Sequence, residues 1–177
     1  KILDDISHVK LRKGMYIGAT SNEEREQFLF GTYQKIKYVP GLVKIIEELI
    51  NNCTDEAIRT NFKFANKISV SIDQETSTIV VEDNGRGLPQ NMVNTPEGTE
   101  IPAAVAAWTR VKAGSNFDDS QGFAGAGQNG VGASLTNIFS KSFIGITCDG
   151  DNTMTIKCEN NLSSIDWKVK SGGKQGT

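Results

Sequence analysis

The sequence predicts an α+β fold, a mostly antiparallel sheet accompanied by helices. Three observations carry that prediction. Pro40-Gly41 opens a stretch of about twenty residues whose apolar positions recur at helical spacing. Two strand-like runs, KISVSID (67–73) and STIVVED (77–83), flank a short turn, the pattern of an antiparallel hairpin. Three more, KSFIGIT (141–147), NTMTIKC (152–158) and SSIDWKV (163–169), follow one another with no helical segment between them, which argues against a doubly wound alternation.

Taken in order, residues 1–20 read as a polar lead-in containing GMYIG (14–18), and residues 21–38 as a charged and aromatic surface excursion. In the long helix, Leu42, Ile45, Ile46, Leu49, Ile50, Cys53 and Ala57 share one broad face, while Glu48, Asn52, Asp55 and Arg59 form a second, polar stripe. The hairpin delivers Asp83 into the Gly-rich turn VEDNGRGLP (81–89). IPAAVAAW (101–108) favours helix, residues 112–128 read as a loop, and NGVGASLTNIFS (129–140) as a loop passing into a helix. SGGKQGT (171–177) reads as a turn entering a further strand. Trp108 and Trp167 are expected in the core, and the lone His8 outside any constellation.

The 177 residues suffice for one domain with a real core, and 37% hydrophobic with 23% charged residues is ordinary for a soluble domain. A net charge of −2 provides no general attraction to nucleic acid, so a DNA partner would be held by other domains. No apolar run reaches membrane-spanning length, and the first residues lack the apolar core of a signal peptide. Cys53, Cys148 and Cys158 have no CxxC spacing and read as reduced thiols of a cytosolic protein.

Glu48 and Asn52 stand one helical turn apart on one face. A carboxylate there can accept a proton from water, and a carboxamide oxygen suits Mg²⁺, which is held by few protein oxygens together with phosphates and water. Each also reads as an ordinary polar helix residue. Asp83, at a strand end before NGRG, can accept a hydrogen bond from an exocyclic amine such as adenine's, while Gly85 and Gly87 let backbone approach a flat base; Asp-Asn-Gly is equally a common β-turn. Arg86 can pair with Asp55 or Glu56. GAGQNGVG (125–132) can cradle phosphate with its N–H groups and the dipole of the helix after it. Its GxGxxG spacing is not preceded by a strand, which argues against a dinucleotide fold, and no Walker A Gly-Lys-Ser/Thr occurs.

The order GMYIG, GLVKIIEELINNCTDEA, VEDNGRGLP, KAGSNFDD, GQNGVGASLTNIFS and a final GT resembles the ATPase domain of type II DNA topoisomerases, within the GHKL superfamily that also holds Hsp90, MutL and histidine kinases. YVPGLVKIIEELI, FKFANKI and SLTNIFS are most similar to its T-even bacteriophage branch. The resemblance implies a Bergerat two-layer α/β sandwich, a mixed and mostly antiparallel sheet with helices on one face. By it, Glu48 is the general base and Asn52 the Mg²⁺ ligand. Asp83 reads adenine with Thr177 assisting through water, and Arg86, Gly87 and Pro89 wall the pocket with Glu56 as the partner of Arg86. Ser115 and Asn116 belong to a lid near ribose and phosphate, and Gly127, Gln128, Asn129, Gly130, Val131 and Gly132 to the phosphate loop.

Asn51 stands where bacterial enzymes have Asp, Asn116 where they have Lys and Asn129 where they have His, which weakens a gyrase assignment but not the ATPase one. The implied cofactors are ATP and Mg²⁺. The implied partners are a second copy across an ATP-closed gate, the other topoisomerase subunits or domains, and duplex DNA in the holoenzyme, with no membrane; the implied location is cytoplasmic, in the host cell's cytoplasm if the chain is phage-encoded. Residues 1–177 are expected to be a single ATPase domain fragment, truncated at the GT strand, without the transducer and DNA-gate regions; lacking the transducer lysine, it should bind nucleotide but turn it over slowly. A MutL-like repair ATPase and a non-catalytic module in which nucleotide only switches dimerisation are the alternatives.

Overall fold

The computed structural model describes residues 3–111 and 132–177. The lead-in is more ordered than its polarity suggests. Helix α1 (Asp5–Leu11) is capped by Asp4, whose carboxylate accepts the Ser7 N–H at 2.9 Å, and it buries Val9. The short α2 (Lys13–Tyr16) follows, and His8 Nδ1 lies 3.0 Å from the Tyr16 hydroxyl, a structural tie between the two. Residues 21–38 form a hairpin of β1 (Glu23–Leu29) and β2 (Thr32–Tyr38). Its turn residues, Phe30 at φ 51° and Gly31 at φ 85°, are both left-handed, as a two-residue hairpin turn requires. Phe is an unusual occupant of such a position, so the turn carried no recognisable signal in the sequence.

Helix α3 (Pro40–Arg59) has the predicted start and length, with Pro at its first position. Its two stripes are less cleanly divided than expected. Leu42 is half exposed, whereas Asp55, placed by spacing on the polar stripe, is buried. Strands β3 (Ile68–Asp73) and β4 (Thr78–Asp83) pair antiparallel with Ile68 opposite Asp83. The small pair β5 (Met92–Asn94) and β6 (Glu100–Pro102) leads into α4 (Ala103–Thr109), and α5 (Gly132–Ile138) precedes β7 (Ser142–Cys148), β8 (Asn152–Glu159) and β9 (Ser164–Ser171).

Among the described residues the strands form four separate ladders rather than one sheet, every pair of them antiparallel. The predicted further strand provides the link. Asp83 N–H donates to the Thr177 carbonyl at 2.8 Å and Thr177 N–H returns a bond to Asp83 at 3.3 Å. Cys148 and Gly176 exchange a second pair at 2.8 and 3.1 Å. Gly176 and Thr177 thus splice the end of β4 to the end of β7.

The core lies between α4, α5 and one face of the three-stranded sheet. Ala104, Val105, Trp108, Leu135 and Ile138 meet Met154, Ile156 and Cys158, with Val9 and Ile17 closing one side. Trp108 packs edge-on to Phe143. Among the described residues, no side chain of β9 joins the core cluster. Ile165, Trp167 and Val169 pair with Cys158, Ile156 and Met154 and so belong to the core face, yet each is more than two-fifths exposed. The expectation of a buried Trp167 is therefore corrected: its face is right, but among the described residues the core cluster does not extend to this edge strand. All three cysteines are buried free thiols.

Candidate functional site

One flank of the site is the meeting of α3 with the start of α5. The Thr136 hydroxyl donates to the Ile45 carbonyl at 2.8 Å, holding α5 against α3. This brings Gly132, the first residue of α5, onto Glu48, so closely that a Cβ there would run into Glu48 Oε2. Only glycine lets the carboxylate and that helix start share the space. The Glu48 side chain is 12% exposed and pairs with Lys44, one turn earlier, at 2.5 Å. Asn52, one turn later, is exposed. Glu48 is thus a shielded carboxylate at a helix start, with an accessible carboxamide beside it.

The opposite flank is built on the end of β4. Asp83 Oδ1 accepts the Gly85 N–H at 2.6 Å, a tight turn that fixes the carboxylate. Cys53, on α3, faces this group: burial, then the negative charge of Asp83, pushes its thiol up to about 12. The turn beyond is held by Arg86, whose Nε and Nη2 reach Glu56 at 2.7 and 3.0 Å. Burial draws the Glu56 carboxyl upward, but the hydrogen bonds and charge of Arg86, with the charge of Arg59, together leave Glu56 below its ordinary value. Of the two partners the sequence allowed for Arg86, the fold selects Glu56.

Gly87 sits at φ 76°, and a Cβ there would strike the Cys148 carbonyl, so this turn can pass β7 only as glycine. Leu88 N–H donates to Thr147 Oγ1 at 2.7 Å, and Pro89 offers its carbonyl to Ala104 N–H at 3.0 Å. Thr177 stands beside Asp83 through the paired backbone bonds, with its hydroxyl 3.1 Å from Thr147 Oγ1.

Helix α3 is therefore a common wall, carrying Glu48 and Asn52 toward α5 and presenting Cys53 and Glu56 to the Asp83 turn. Glu56, Asp83, Arg86, Gly87, Pro89 and Thr177 are gathered at one end, and Glu48, Asn52 and Gly132 at the other. Ser115, Asn116, Gly127, Gln128, Asn129, Gly130 and Val131 lie outside the described residues. Among the described residues no cluster of three or more His, Cys, Asp or Glu could hold a metal. The exposed Asn52 carboxamide is a single oxygen donor of the kind that would suit Mg²⁺, whose remaining positions would be taken by phosphate and water. The sequence reading missed two contributors. Lys44 was legible as a cation four residues before Glu48; Thr147, a hydroxyl near the end of an apolar strand, gave no signal.

This arrangement has counterparts in known proteins. Residues 38–170 match the model of the histidine kinase-, DNA gyrase B- and HSP90-like ATPases, and the chain belongs to that family. More narrowly, it is homologous to type II DNA topoisomerases in their ATPase region. The chain is 54% identical over all 177 residues to the DNA topoisomerase large subunit of Enterobacteria phage T4, of which it spans 34%. It is 32% identical over 169 residues to DNA topoisomerase 2 of Saccharomyces cerevisiae, covering 91% of this chain and 12% of that protein. The crystal structure of the ATPase region of Saccharomyces cerevisiae topoisomerase II superposes with a TM-score of 0.87 at 30% identity, covering 99% of this chain and 48% of that one. The chain thus spans about a third of the phage relative and far less of the yeast protein. The expected α+β Bergerat fold is that of these relatives.

Proposed function

We propose that the chain binds ATP between α3 and the Asp83 turn and hydrolyses it with Glu48 as general base, and that in the whole protein this drives a type II topoisomerase. The observation that carries the reading is the placement of Glu48: a shielded carboxylate against the start of α5, one turn from an exposed carboxamide and on the helix that also faces Asp83. Glu48 would take the proton of the attacking water. Its pairing with Lys44 keeps an ammonium beside that carboxylate. Asp83, with one oxygen fixed by Gly85, would read the adenine amine, and Thr177 would assist through water. Arg86, locked by Glu56, and Gly87 and Pro89 would wall the base. Ser115 and Asn116 would close over ribose and phosphate, and Gly127, Gln128, Asn129, Gly130, Val131 and Gly132 would cradle the phosphates. Asn52 would hold Mg²⁺, which when bound supplies charge neutralisation to the phosphates.

In this reading residues 1–177 are one nucleotide-binding unit, and the parts that hold and cleave duplex DNA lie in other domains or subunits of the same host-cytoplasmic complex. Two copies would close on ATP as a gate for strand passage. Turnover would also need a lysine from a transducer region, so these 177 residues alone would bind nucleotide and hydrolyse it slowly. No described helix is long and apolar enough to cross a membrane.

The test is Glu48→Ala in the intact enzyme. Loss of a general base should lower ATP turnover by about 10²–10⁴-fold, with nucleotide binding by calorimetry retained. Unchanged turnover would remove Glu48 from the chemistry, whereas nucleotide binding without turnover in the unmutated enzyme would favour a module in which nucleotide only switches dimerisation.

A further inference from the structure

Glu48 is gripped from two sides. Its Oε1 meets the Lys44 ammonium, and its Oε2 faces the start of α5 so closely that only glycine fits at position 132. The two grips differ in kind. Lys44 stands one turn away on the same helix, moves with it, and so cannot place the carboxylate relative to any other element. Helix α5 can. Its seat on α3 rests on apolar contacts, which are non-directional and tolerate sliding, and on the directed bond from Thr136, a residue only 7% exposed. The Thr136 hydroxyl has two acceptors within reach. Both are carbonyls, so Thr136 is the donor to either. The Ile45 carbonyl, on α3, lies at 2.8 Å; the Gly132 carbonyl, one turn back on α5 itself, lies at 3.3 Å. A threonine within a helix can donate back to its own preceding turn. Here the shorter bond crosses to the neighbouring helix.

We infer that Thr136 is a positioning residue for the general base: its bond to the Ile45 carbonyl sets the register of α5 on α3 and so holds Glu48 Oε2 in place. This rests on the reading of Glu48 above. Gly132 and Thr136 are one turn apart on α5, and the residues they meet, Glu48 and Ile45, are nearly one turn apart on α3. Two contacts at that separation fix both the slide and the rotation of one helix against the other, where one contact alone would leave a pivot. Removing the hydroxyl frees the Thr136 end. The start of α5 then shifts over Glu48, and the carboxylate gains freedom where it must meet the proton of the attacking water. The Ile45 carbonyl lies inside α3, where the helical pattern supplies a donor four residues on, so the loss orphans no buried group. Cys53 and Glu56 face the Asp83 turn from further along α3, so nucleotide affinity changes less than turnover.

The experiment measures single-turnover ATP hydrolysis, and the dissociation constant of a non-hydrolysable ATP analogue, on the intact protein. Thr136→Val keeps the shape and removes the hydroxyl; it should slow hydrolysis by about 5- to 30-fold and change the dissociation constant by less than about twofold. Thr136→Ser, which keeps the donor, should restore the rate. The decisive comparison is made in a Glu48→Ala background. Because Thr136 acts through Glu48, Thr136→Val should take nothing further from the residual turnover there. A Thr136→Val protein as fast as wild type would overturn the inference. So would an equal fractional loss in the two backgrounds, the mark of a residue that only supports the fold. If Thr136→Val does not fold, Thr136→Ala is read by the same two comparisons. Failure of the underlying reading looks different: Glu48→Ala alone would leave turnover unchanged, and the inference would fall with it.

Discussion

Arg86 and Glu56 show how a single pair of residues fixes the turn after Asp83. The guanidinium is about half exposed and the carboxylate 18% exposed, so the pair is partly screened by water and contributes about 0.5–1 kcal/mol. Because Glu56 titrates lower in the folded protein than in the unfolded chain, that contribution is complete above its ordinary value of 4.5 and is lost as pH falls through the lower folded value. Arg86→Ala should therefore be less stable than wild type by this amount in urea unfolding at pH 7, with the gap closing below about pH 4. A constant gap from pH 7 to pH 3 would remove the ion pair as its cause. At this scale, spacing and turn chemistry sufficed to single out Glu48, Asn52 and Asp83, which the fold sets on or against α3. The sequence was silent about Thr147, whose hydroxyl finds Leu88 and Thr177 only because segments distant in the chain meet there.

At the scale of elements, α3 was readable from Pro40 onward because a long amphipathic period and a proline start reinforce each other. The β3–β4 hairpin and β7–β9 were readable for the same kind of reason, alternation over six or more residues. The β1–β2 hairpin was not, because its left-handed turn begins at Phe30 and its strands are charged on both sides. Strand β9 shows a further limit: periodicity assigned its apolar face but could not say that the core cluster stops short of it. This divides the two tryptophans. Trp108 is 5% exposed and Trp167 42%. Acrylamide quenching of native fluorescence should resolve an accessible and an inaccessible class, and Trp108→Phe should remove the inaccessible, blue-shifted one. Uniform quenching of both would mean that β9 is covered in solution.

For the whole molecule, the relevant quantity is how far nucleotide binding couples to folding. Cys53, Cys148 and Cys158 are all buried, and a thiol pushed up to about 12, as Cys53 is, stays protonated and unreactive at neutral pH. Alkylation of Cys53 must then await opening of the structure. ATP at about 100 times its dissociation constant should stabilise the folded state by about 2.7 kcal/mol and slow Cys53 modification by about 100-fold under conditions where opening is global. Modification that ATP does not slow would show that Cys53 opens locally, apart from the nucleotide site. The splice of Gly176 and Thr177 between β4 and β7 has a further consequence, in the order of synthesis. Asp83 leaves the ribosome about ninety residues before Gly176 and Thr177, which complete its strand. Pairings so distant in sequence form late in folding. On the reading proposed above, a nascent chain that stopped short of Gly176 would have its long helix and the carboxylate proposed to read adenine, but not the backbone pairing that joins β4 to β7. The capacity to hold nucleotide would therefore arise only after translation has passed Thr177.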